Sequence, residues 1–149
     1  MEYRKLQSSE IDKFVENRIE FVTSIRDIKN VDLFEEKTTQ YIKDNINSEN
    51  LLIYIATYNN EIIASCVLCI FQTIPLPSNY GGKIGELLNV YTKKEYRGNG
   101  HASTLIKLLF DEAKLKGVSK IILEYTDDGY PLYKSLGFKV LDRQMEYRF

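Results

Sequence analysis

The sequence predicts an α/β protein, a mixed sheet with helices packed on its faces. Three observations point there. Apolar, β-branched runs alternate along the chain with segments whose apolar residues recur at helical spacing. Two of those runs flank "NNE", a turn sequence that suggests a hairpin. In the second half each strand-like run is followed by one helix-like segment, and Gly117 and Gly137 stand where those helices should stop.

Taken in order, "EYRKL" reads as a short first strand. Ser8 or Ser9 is placed to cap a helix in which Ile11, Phe14, Val15, Ile19 and Val22 recur at helical spacing. A second helix starts at "DLFEE", where Asp32 and Glu35 have capping-box spacing, and carries Phe34, Tyr41, Ile42 and Ile46 until "NSEN" breaks it. "LLIYIATY" and "EIIASCVLCIF" are the hairpin strands. "QTIPLPSNYGGK" holds two of the chain's three prolines and is a loop; "IGELLNVYT" is the next strand. "HASTLIKLLFDEAKLKG" puts Ala102, Leu105, Ile106, Leu109 and Ala113 on one helical face. "SKIILEYT" is a strand, "GYPLYKSLGF" a short helix with Pro131 tolerated in its first turn, and "KVLDRQMEYRF" closes with one or two strands. The sum is six to seven strands and about four helices. No repeat, low-complexity tract or linker interrupts residues 1–149, so a single domain is expected.

Composition narrows the function classes. A chain of 149 residues can bury roughly 68–70% of its unfolded surface and needs no staples. A net charge of −1 argues against a broad nucleic-acid surface. No apolar run approaches the ~20 residues of a membrane helix, and "MEYRKLQSSE" does not resemble a signal peptide, so a cytoplasmic location is expected. Cys66 and Cys69 have C-x-x-C spacing, but an offset of three in a strand sends the two side chains to opposite faces, and no second pair completes a zinc site. They read as reduced structural thiols, with no metal expected.

The informative stretch is "EYRGNGHAST", lying between a strand and a helix. Glycines let a backbone turn its N–H groups outward, and a helix N-terminus adds about half a positive charge, so the junction suits an anion. A P-loop would need Gly-Lys-Ser/Thr where Gly100 is followed by His101. A dinucleotide fingerprint places Gly98 and Gly100 correctly but puts Ser103 at its third glycine. A plain tight turn with a helix cap is the bland alternative.

Arg97-Gly98-Asn99-Gly100-His101-Ala102 resembles the Arg/Gln-x-x-Gly-x-Gly/Ala pattern of the GNAT N-acetyltransferases. "LLNVYTKKEYRGNGHASTLI" is similar to that family's strand, loop and helix in unbroken order. "PLYKSLGF" is similar to its later segment, with a tyrosine four residues before Gly-Phe. The element order agrees over essentially the whole chain. The resemblance implies a mixed, mostly antiparallel sheet with the cofactor in a splayed gap between the fourth and fifth strands. It implies acetyl-CoA as acyl donor, its pyrophosphate wrapped by the amides of Arg97, Gly98, Asn99, Gly100, His101 and Ala102, and its pantetheine arm paired with Val90, Tyr91 and Thr92. Because backbone groups do the wrapping, His101 is expected as a solvent-side or first-turn residue rather than a general base. The amide near Val90 would polarise the thioester carbonyl.

The chemistry then needs two proton carriers. An alkyl ammonium with pKa ~10.4 leaves roughly one molecule in a thousand nucleophilic at neutral pH, and a carboxylate, directly or through water, can take its proton. Glu86, eleven residues before Arg97, stands at the offset some family members use; strand alternation would put it on the same face as Val90 unless a bulge intervenes. Tyr133 occupies the family's tyrosine position, where it would protonate the leaving thiolate. One departure is that "YTDDGYPLY" offers Thr126, Asp127 and Asp128 where many members carry a pantetheine-contacting asparagine. The acceptor, a small-molecule or peptide amine, is not assignable; Glu20, Asp27, Glu35 and Glu36 could draw a polycation or form a solvated face. No nucleic-acid or membrane partner is expected, and the family resemblance admits a homodimer. The rival functions are a non-catalytic acyl-CoA-binding module and a nucleotide-binding redox domain.

Overall fold

The computed structural model describes residues 1–149. The chain runs β1 (Glu2–Lys5), α1 (Ile11–Ile25), α2 (Val31–Asn45), β2 (Leu51–Tyr58), β3 (Glu61–Gln72), β4 (Lys83–Thr92), α3 (His101–Leu115), β5 (Lys120–Ile122) and α4 (Tyr130–Ser135). The sheet has the order β1-β2-β3-β4-β5, antiparallel except for the parallel β4–β5 pair. At the tip of the β2–β3 hairpin Asn59 and Asn60 have φ of 48° and 67°. Two left-handed residues in a two-residue turn match the twist of the flanking strands, and Asn tolerates that conformation better than most residues.

Strand alternation divides the apolar residues between two faces. Leu52, Cys66, Leu68 and Ile70 meet Leu105, Ile106, Leu109 and Ala113 of α3 on one side. Ile53, Ile55 and Val67 meet Phe14 and Val15 of α1 and Ile42 of α2 on the other. Leu105, Ile106 and Leu109 are fully buried, each contributing about 1.5–3 kcal/mol. Cys66 lies in the α3-side core and Cys69 packs at the edge of the opposite one, as the strand reading requires. Burial pushes the Cys66 thiol up to about 12, which makes it a packing residue rather than a nucleophile. No helix is long and apolar enough to cross a membrane.

Three local expectations are corrected. Ser8 and Ser9 lie in a short 3₁₀ turn; the Glu10 carboxylate accepts from the Gln7 amide at 3.1 Å and from Arg4 Nη1 at 2.7 Å, anchoring the entry to α1. Asn30, not Asp32, caps α2, its side-chain oxygen accepting from the Leu33 amide at 3.0 Å. And the sheet stops at five strands rather than six or seven. "KVLDRQMEYRF" has the alternation of a strand in Met145, Tyr147 and Phe149, yet these side chains are exposed. Period-two patterning records what one face of a strand could bury, but a ladder forms only beside another strand, and none lies alongside this segment.

Candidate active site

The glycine junction forms a cradle of open amides. β4 ends in a 3₁₀ turn, Lys94–Tyr96, and α3 begins at His101. Between them Gly98 and Gly100 take φ of 79° and 78°, a region costly for side-chain-bearing residues. A Cβ at either position would meet no protein atom within 4 Å, so conformation rather than crowding selects glycine there. From Gly98 to Ser103 no backbone N–H donates to another group of the protein; helical bonding starts with Thr104 N–H to the Gly100 carbonyl at 3.0 Å. The first turn of any helix leaves such donors free, and here the loop lengthens the run. Arg97 does not join it, because its amide closes on Lys94 O at 3.3 Å and its Nε donates to Thr92 O at 3.0 Å. The Asn99 side chain folds back onto the carbonyls of Tyr96 and Arg97 at 3.1 and 3.2 Å, leaving its own amide outward.

His101 is the first residue of α3, as expected, but it is buried rather than solvent-facing. Its Nδ1 lies 2.7 Å from the Tyr3 hydroxyl, tying the helix start to β1.

Beside the cradle the sheet opens. β5 pairs with β4 only through Ile84–Lys120, Gly85–Ile121 and Glu86–Ile122. β4 remains paired with β3 up to Thr92. The β4 edge that carries Val90, Tyr91 and Thr92 therefore has no strand partner on the β5 side. "SKIILEYT" is strand only over its first half, and this shortening is what separates the two chains.

A bulge decides which way β4 points. Leu87 packs into the α3-side core, and Leu88 lies opposite Val67 of the other core. Between the pairs Val67–Leu88 and Ser65–Tyr91, the two residues Asn89 and Val90 face the single Cys66, and Asn89 takes φ 52°. The extra residue returns Val90 to the α3 side, where it and Tyr133 both pack against the same core. Glu86 is paired with Cys69 on the α1/α2 side. Glu86 and Val90 thus occupy opposite faces, the outcome expected of strand alternation where a bulge intervenes.

The bulge is held by polar residues that sequence reasoning passed over. Asn89 Nδ2 donates to Ser65 Oγ at 2.9 Å, Ser65 donates to Asn17 Oδ1 at 2.9 Å, and Asn17 Nδ2 reaches Ile62 O at 3.4 Å. All three side chains are buried. Arg18 Nη1 donates to Asn89 Oδ1 at 2.9 Å. The signal was present: a lone Asn between Leu88 and Val90, a Ser inside "IIASCVL", and an Asn on the apolar stripe of the first helix are costly unless paired. Asn89→Ala strips Ser65 and Arg18 of a partner and puts a Cβ-only residue at positive φ. It is expected to lower unfolding stability by about 1–3 kcal/mol, read as a lower urea midpoint; an unchanged midpoint would show that the bulge needs no such support.

Tyr133 stands on α4 with its ring edge-on to Phe138, centroids 5.7 Å apart. A Cβ on Gly129 would come within 2.9 Å of that ring, so the turn before α4 must be this small to seat it. The Tyr133 hydroxyl has no protein partner, yet no buried side-chain polar atom is left unpaired, so it reaches solvent. Burial of the ring raises its pKa and holds the phenol protonated at neutral pH. Of the other acidic residues, Glu20 accepts from the Tyr91 hydroxyl at 2.6 Å. Asp27, Glu35, Glu36, Asp127 and Asp128 are exposed.

With this geometry in place, a sequence model of the Acetyltransferase (GNAT) family matches residues 20–138. The chain belongs to this family. As a GNAT member it is an acyltransferase of the N-acetyltransferase class, with acetyl-CoA as acyl donor. This GNAT protein is similar over 99% of its length to 95% of a predicted acetyltransferase of Clostridium acetobutylicum solved with acetyl-CoA, at 31% identity and a TM-score of 0.91. It shares its fold with a GCN5-related N-acetyltransferase of Ralstonia eutropha JMP134, at 19% identity and TM-score 0.85 over 99% of this chain and 97% of that one. A stretch of 65 residues is 35% identical to glucosamine 6-phosphate N-acetyltransferase of Trypanosoma brucei brucei, covering 44% of each chain.

Proposed function

We propose that this protein transfers the acetyl group of acetyl-CoA to the primary amine of an acceptor by direct attack in a ternary complex, and that residues 1–149 do so as one domain. The observation that carries the reading is the run of unbonded amides from Gly98 to Ser103 beside a β4 edge that β5 has left. Such donors fit a diphosphate at a helix N-terminus, and a free strand edge fits an extended amide-bearing arm.

Bound acetyl-CoA supplies the acetyl group as a thioester, whose thiol leaving group has a pKa near ~8.5. The amides of Gly98, Asn99, Gly100, His101, Ala102 and Ser103 grip the pyrophosphate, with Arg97 ordering the turn that presents them. Val90, Tyr91 and Thr92 pair with the arm. The bulge at Asn89 aims the Val90 region at the carbonyl, where an N–H stabilises developing negative charge. Tyr133, protonated and on the Val90 face, donates a proton to the departing sulfur. Glu86 takes the ammonium proton from the opposite face, through water where the acceptor does not touch it. Glucosamine 6-phosphate is one acceptor to assay, since a relative that matches part of the chain is named for it.

The direct test is acetyl transfer: release of free CoA matched by acetylated amine over a panel of primary amines is expected, whereas CoA binding without transfer to any amine would leave a non-catalytic module. For Glu86→Gln the acidic limb of the pH profile of kcat/KM is expected to move or vanish. An unmoved limb would assign the base to another group.

A further inference from the structure

Arg18 is a charged group bonded to the bulge, and it lacks a counter-charge. It takes part in none of the protein's ion pairs. Its only hydrogen bond is from Nη1 to Asn89 Oδ1 at 2.9 Å. Its guanidinium carbon lies 5.5 Å from the centre of the Phe34 ring of α2, so the group is wedged between two helices and the sheet. Partial burial disfavours its charged form, a cost that proteins ordinarily offset with a carboxylate or phosphate. No buried polar atom is left unpaired, so its remaining N–H groups open onto solvent. The chain Asn89–Ser65–Asn17 fixes the acceptor end of the bond to Nη1 and so orients the planar fork.

Its neighbours lie on the α1/α2 side of β4. Glu86 stands three residues earlier on the strand, and the exposed Leu88 shares its face. Tyr41 donates to Cys69 Sγ at 3.5 Å beside them. Carboxylate and guanidinium lie along one strip of sheet without pairing with each other. Arg18 bonds the residue immediately before Val90, where the reaction is placed.

Resting on the transferase reading above, we infer that the acceptor is a compact amine carrying an oxyanion, with Arg18 binding the oxyanion and Glu86 meeting the ammonium. Carboxylate and phosphate share the required chemistry, two coplanar oxygens for a guanidinium fork. Arg18 is then a specificity-determining residue.

The test uses two matched pairs, β-alanine with β-alaninamide and glucosamine 6-phosphate with glucosamine, titrated calorimetrically against CoA-loaded full-length protein and assayed as acceptors. The anionic member of at least one pair is expected to bind about 10- to 100-fold more tightly than its neutral partner, as a charged hydrogen-bonded pair allows. The pair that discriminates names carboxylate or phosphate. Arg18→Gln should erase the preference by raising KM for the anionic acceptor about 10- to 100-fold more than KM for the neutral one. Arg18→Lys should restore part of it. A merely structural arginine would raise both KM values by the same factor, which would overturn the inference. Equal binding of both members in both pairs by the unaltered protein would overturn it too, whatever the variants do. Transfer to neutral amines with no anion preference would sink this inference alone; failure of the protein to bind CoA would sink the transferase reading with it.

Discussion

Tyr133→Phe is expected to lower kcat about 10²- to 10⁴-fold, the span of a well-placed general acid, with little change in acetyl-CoA affinity. The ring packs in the α3-side core with Val90 and beside Phe138, and Phe preserves that packing. What is lost is one hydroxyl that has no protein partner, so the fold should not register its removal. The pH dependence has a definite sign. An acid works while protonated, and burial raises the Tyr133 pKa above its ordinary value, near ~10. Activity limited by this step therefore persists through neutral pH and falls only as pH rises through that raised value. Steady-state rates with a chemistry-limited acceptor check both points. A Phe variant with unchanged kcat, or an unaltered basic limb, would remove Tyr133 from the proton path.

Gly100→Val should act on binding. At φ 78° a β-branched residue costs of order 1–3 kcal/mol, and Gly100 carries the carbonyl that starts α3. Relief of that strain must rotate the amides on either side. Acetyl-CoA affinity is expected to fall by at least ~10-fold, as loss of one charge-assisted hydrogen bond would cause, with a lower melting temperature from the helix start. Asn99→Ala is the control: its side chain bonds only to Tyr96 O and Arg97 O, so affinity should change far less. Calorimetric titration of acetyl-CoA distinguishes the two. Equal affinity for the Val variant and the parent would mean the loop geometry is irrelevant.

The elements most visible in sequence were those encoded locally. Asn59-Asn60 and Gly98-x-Gly100 carry their own backbone preferences, and the stripe Leu105, Ile106, Leu109, Ala113 encodes a buried helix face by its spacing alone. What stayed hidden depends on partners. The Asn89 bulge adds one residue to one strand, which a period-two reading cannot register; alternation alone puts Val90 on the face of Glu86, and the bulge puts it on the other. The length of β5 depends on how far β4 stays beside it, and Ile121, Ile122 and Leu123 look equally strand-like in sequence although only the first two pair. The motif includes Arg97 among the outward amides, whereas the 3₁₀ turn engages its N–H. The Asn17–Ser65–Asn89–Arg18 network joins three elements, and no local pattern announces it.

Amide resonances of ¹⁵N-labelled protein, followed as CoA is added, test the central claim most directly. The largest shifts should fall on Gly98 to Ser103, where donors await an acceptor, with a second group at Val90 to Thr92 along the open edge. Saturable CoA binding that left those amides unmoved and shifted others instead would contradict the assignment of the diphosphate to this cradle.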